Sequence, residues 1–195
     1  IIAIINLIFM DTKIYTIYSE HTPNPNVLKF VSNISLFNST KEFFEKPNKT
    51  DFPLISLLFD FPFVVKVFLG KNFISIEKSS ELEWIEFSSE IRVFIQNKLN
   101  NNIKASTILI KKNSKRIIQT DLEKKIENII DKEIRPYIQM DGGEIKLISF
   151  KNGVVKVALQ GACRGCPSSV STLKHGIEKK LKNEMPNQIT DVISV

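Results

Sequence analysis

The sequence predicts an α+β protein built as two small domains joined by a basic linker. Three features lead there. Short runs of β-branched and aromatic residues alternate with capped amphipathic stretches in both halves. A polar stretch, residues 104 to 119, carries five Lys or Arg and no acid. The second half reads in the order α-β-β-α-β, with a CxxC loop at a helix N-terminus. A chain of 195 residues divides readily into two such units, each able to bury a modest core.

In the first domain, residues 13 to 100, KIYTIYS reads as a strand, Thr22-Pro23-Asn24-Pro25-Asn26 as a rigid turn and VLKFVS as the next strand. Ser39 with Glu42 predicts a cap for a short helix, STKEFFEK, and Pro53 suits the first turn of another, PLISLLF. PFVVKVFLGKNFISIEK predicts a hairpin that turns at Gly70-Lys71-Asn72. Ser80 and Glu83 predict a capping box for a helix whose apolar face is Trp84, Phe87, Ile91, Phe94, Ile95 and Leu99.

Residues 101 to 119 read as the linker. In the second domain, residues 120 to 195, Thr120 and Glu123 predict a capping box. The helix that follows carries Leu122, Ile126, Ile129, Ile130 and Ile134 on one face, and Pro136 should end or kink it. EIKLISF and GVVKVAL pair as a hairpin across Lys151-Asn152-Gly153. Val170, Leu173, Ile177 and Leu181 recur at helical spacing, and Ile189 to Val195 form a last strand.

Composition narrows the function classes. Apolar residues at 43% and charged residues at 25% exclude wholesale disorder. Most of the net charge of +6 sits in the linker, so the basic character reads as a solvated tether, and no nucleic-acid partner is expected. The opening IIAIINLIF is far shorter than the roughly 20 apolar residues that span a bilayer. It also lacks a basic n-region and a small-residue cleavage site. Residues 1 to 12 are expected to be an N-terminal extension, the part before Met10 an upstream read-through, with no membrane partner. Two cysteines and no exporting signal argue for a reducing compartment, expected to be a bacterial-type cytoplasm.

The chemistry concentrates in GACRGCPSSVSTL, residues 161 to 173, which holds both cysteines, Cys163 and Cys166. The pair lies between a strand ending near Leu159 and a helix opening near Pro167. Both sulfurs then face unpaired backbone N–H groups and the positive end of a helix dipole, which favours thiolate. Arg164 adds positive charge, and Gly161 and Gly165 let the backbone approach a bulky sulfur-bound group. Iron-sulfur clusters commonly take four thiolates, and structural zinc takes four Cys or His ligands. One chain offers two thiols; two chains offer four. A cluster held between two copies would be a symmetric, solvent-near bridge, and the arrangement suits a carrier better than an electron-transfer protein.

These residues resemble a known family. DGGEIKLISFKNGVVKVALQGACRGCPSSVSTLKHGIEKKL, preceded by IRPYIQM, is similar to the NifU-like C-terminal domain of Nfu-type iron-sulfur scaffolds. EHTPNPNVLKF, the FVVKVFLGKNFISIEK hairpin and Trp84 resemble the N-terminal domain of two-domain Nfu proteins. The resemblance covers about residues 13 to 100 and 120 to 195, and GxCxxCPxSxxTL after DGG is its specific part. Glu144 departs from it, standing where an Asp often follows DGG. The resemblance implies an iron-sulfur cluster, [4Fe-4S] in type, ligated by Cys163 and Cys166 and bridging a homodimer that forms when the cluster is loaded. It further implies delivery to apo iron-sulfur proteins and supply by upstream cluster-assembly proteins.

Other residues read more plainly. Asp141-Gly142-Gly143 is a helix-ending turn with glycine at positive φ. His175 lies off the apolar stripe and reads as a surface residue, His21 as a turn residue, and Trp84 as core. The acids are scattered, with no pair for acid-base work and no nucleophile triad, so no enzyme is expected. The alternative function is a thioredoxin-like dithiol-disulfide oxidoreductase, against which stands the absence of a βαβ unit before the cysteines.

Overall fold

The structure, a computed structural model, describes residues 13–108, 120–164 and 170–195, with the backbone alone at 170–173. In the first half, strands β1 (Ile17–His21), β2 (Val27–Ser32), β3 (Lys41–Phe43), β4 (Val64–Leu69) and β5 (Phe73–Lys78) form an antiparallel sheet in the order β1-β2-β5-β4-β3. Helices α1 (Pro53–Leu58) and α2 (Trp84–Asn100) cover one face. Leu28, Phe30, Val67, Leu69, Ile74 and Ile76 from the sheet pack there with Leu54, Ile55, Ile91 and Ile95. The alternate residues of the same strands point to the other face.

The Thr22–Asn26 turn is rigid for reasons the sequence announces. The Thr22 hydroxyl donates to the carbonyls of Asn24 and Val27, both at 2.9 Å, and the Asn26 N–H donates to Asn24 Oδ1 at 3.1 Å. Trp84 is core as expected, and its indole N–H donates to Asn26 O at 3.1 Å.

Two sequence expectations in this half are corrected. STKEFFEK contains strand β3, with Lys41, Glu42 and Phe43 paired to Leu69, Phe68 and Val67 of β4. The pairing with β4 puts Phe43 on the core side and Glu42 on the opposite side. The Ser80–Glu83 capping box does not form either: α2 starts at Trp84 with Glu83 at the N-cap and no side-chain cap bond. The Trp84 ring at this start packs edge-on against Phe30 and Phe63. Residues 103–108, within the stretch read as linker, lie against the first half; Ala105 is buried and Leu54 N–H donates to Lys104 O at 3.2 Å. Residues 1–12 and 109–119 fall outside the described residues, as does the expected start of a helix at Pro167.

The second half follows the expected order. Helix α3 (Asp121–Ile129) opens on the Thr120–Glu123 capping box, passes into a π-helical segment, Ile130–Ile134, and continues as α4 (Arg135–Met140). Strands β6 (Gly143–Lys151) and β7 (Val154–Gly161) form the hairpin, with Asn152 and Gly153 at φ 50° and 79° in the tight turn. Helix α5 (Val170–Glu184) crosses back so that β8 (Asp191–Ser194) lies parallel to β7. Ile126, Ile130, Ile134 and Ile138 fill the core beneath Leu147, Val155, Ile177 and Leu181. No helix among the described residues is long and apolar enough to cross a membrane.

Candidate functional site

The cysteine turn is built by the meeting of two strand ends. In the β6–β7 ladder Gly143 pairs with Gly161, so the start of β6 lies beside the chain as it leaves β7 toward Cys163. Asp141 caps α4, and Gly142, at φ 80°, reverses the chain into β6. Burial pushes the Asp141 carboxyl up from its ordinary value, opposed by the nearby Lys29 ammonium. Gly161 also needs positive φ, 67°, and Ala162 N–H donates to Gly142 O at 3.2 Å. Gly143 serves a different need: a Cβ there would stand 2.6 Å from Cys163 Sγ and 2.8 Å from Gln160 O. Only glycine leaves the thiol its place.

Cys163 is 4% exposed and packs at the edge of the second core. Cys166 lies outside the described residues. Among the described residues no group of three or more His, Cys, Asp or Glu is placed to hold a metal ion. His175 is exposed on α5, 4.0 Å from Glu178, and His21 is exposed at the end of β1 and not in the turn after it. Glu144 is buried, held by Arg135 Nη1 and Gln139 Nε2 at 3.0 Å each, where it ties α4 to β6 beneath the turn.

The first half contributes residues that the sequence does not suggest. Glu42 Oε1 accepts from Gly161 N–H at 2.9 Å, and Glu42 Oε2 accepts from Arg164 Nη1 at 2.8 Å. The Arg164 charge expected to serve the thiolates is thus paired with a carboxylate, and its guanidinium also stacks on Phe44. Lys66 Nζ donates to Gly161 O at 3.4 Å, Ser75 Oγ to Gly142 O at 2.7 Å, and Lys29 Nζ to Met140 O at 3.1 Å. The only sequence signal for this set is its strand parity, which puts these side chains opposite the first core.

Comparison with known proteins matches both halves. The NifU-like domain model covers residues 126–193, and the scaffold protein Nfu/NifU N-terminal model covers residues 17–102. The NifU-like protein C1709.19c of Schizosaccharomyces pombe is 35% identical over 92% of this chain and 72% of its own length. Proteins described as mitochondrial NFU1 iron-sulfur cluster scaffold homologs match in Drosophila persimilis, 34% identical over 87% of this chain, and Drosophila willistoni, 33% over 92%. The chain spans 62% and 64% of those two fly proteins.

Proposed function

We propose, from the premise that this chain belongs to the Nfu/NifU family of iron-sulfur cluster scaffolds, that it is a carrier whose cargo is a cluster shared between two copies. Cys163 and Cys166 of each chain supply the thiolates, four in all, and the cargo is of the [4Fe-4S] type. The carrier catalyses no reaction of its own. It receives the cluster from assembly proteins and passes it by thiolate exchange to apo-proteins that offer free cysteines.

The observation that supports this reading is the site's arithmetic: two cysteines in the whole sequence, with two residues between them, the first held beside Gly143. Family membership supports the cluster as cargo. A compartment that keeps thiols reduced suits the chain, and we keep the cytoplasm as its proposed place. The fly relatives' mitochondrial names point to the other compartment of that kind.

The test is anaerobic reconstitution with iron and sulfide. Wild-type chain should take up both, and Cys163→Ala and Cys166→Ala should each lose them while the thermal transition survives. A single variant that keeps near-wild-type iron and sulfide would sink the ligand assignment, and Mössbauer spectra of the loaded protein decide the cluster type.

A further inference from the structure

The turn from Gly161 to Arg164 sits on the outer face of the first sheet, and that face is shaped for it. A β-bulge between Val64 and Lys66 shifts the side-chain parity of β4, so that Val64 and Val67 both reach the core while Lys66 and Phe68 point out. Their cross-strand neighbours Glu77, Ser75 and Glu42 share that outer face. Lys29, Ser75 and Lys66 present donors there, and the carbonyls of Met140, Gly142 and Gly161 meet them. Phe68 is fully buried against Gly161, where an added Cβ would lie 3.1 Å from its ring. Two of these three carbonyls belong to glycines, whose missing Cβ lets them come close to the donors on the sheet.

Glu42 is the centre of this contact. Its side chain is 3% exposed, and both of its oxygens bind the cysteine turn, one on a backbone N–H and one on Arg164. These are the positive groups that an anionic cluster on the neighbouring thiolates would draw upon. We infer that the outer face of the first sheet is an intramolecular latch for the cysteine turn, in which the Glu42 carboxylate occupies donors that the cargo needs, so that loading requires the two halves to part. While the latch is shut the Gly161 N–H and the Arg164 guanidinium are both taken by Glu42. The consequence for loading rests on the two-chain reading proposed above; the latch does not.

The experiment uses the full chain and Glu42→Ala, with two readouts. In the apo-protein, hydrogen exchange at the Gly161 amide should quicken about tenfold, the factor expected from losing one charge-assisted hydrogen bond. Anaerobic cluster uptake should quicken by about the same factor, since its rate follows the open fraction. Glu42→Gln keeps the strand's shape and should move both readouts the same way by less, which guards against a damaged sheet. Unchanged Gly161 exchange overturns the latch. Faster exchange with unchanged uptake overturns its control of loading. If no chain, wild type included, takes up cluster, the carrier reading falls and the exchange data alone decide the latch.

Discussion

Gly143 and Gly176 show how differently one residue type is used in this chain. Gly143 is confined between Cys163 Sγ and the Gln160 carbonyl, whereas a Cβ on Gly176, in the exposed face of α5, would meet nothing within 4 Å. Gly143→Ala should therefore lower stability by about 1–3 kcal/mol, because a backbone carbonyl cannot step aside. Gly176→Ala should raise it by up to about 1 kcal/mol through helix propensity. Paired thermal melts check both, and a neutral Gly143→Ala would refute the close packing at the thiol. The turn role of Gly142 was legible, since a helix followed by DGG demands positive φ from local chemistry alone. The need at Gly143 was not, because it comes from a side chain 20 residues further along. Glu42 was hidden for the same reason: its partners in the cysteine turn lie more than a hundred residues away.

At the scale of elements, the run through Ile126, Ile130, Ile134 and Ile138 carries the lesson. A spacing of four advances about 400° in an α-helix, so each step drifts about 40° and the last isoleucine would leave the core. The π segment Ile130–Ile134 has a wider turn, which takes back part of that drift, and Pro136 follows it in the first turn of α4, where a missing N–H is tolerated. All four isoleucines are consequently buried. Ile130→Ala should cost about 2–5 kcal/mol in denaturant unfolding, with the first half's transition unmoved. A loss below about 1 kcal/mol would mean that this face is not the core. Proline punctuation and apolar periodicity made the helix legible, and the hairpins likewise. Strand β3 was not, since Ser39 and Glu42 carry a capping pattern that only the pairing with β4 overrules.

At the scale of the molecule, two halves with separate cores meet through hydrogen bonds and ion pairs centred on the cysteine turn. The two-part organisation was readable from the basic stretch and from the change of element order. The seat was not, because strand parity announces an outward face without saying what covers it. The central claim is that one chain holds half of a cargo site, and anaerobic sizing of the reconstituted full chain, with iron and sulfide counted per chain, tests it most directly. The account predicts apo-protein that elutes as one chain and loaded protein that elutes as two chains with a single cluster between them. A cluster retained on one chain, in the absence of any added thiol, would contradict it.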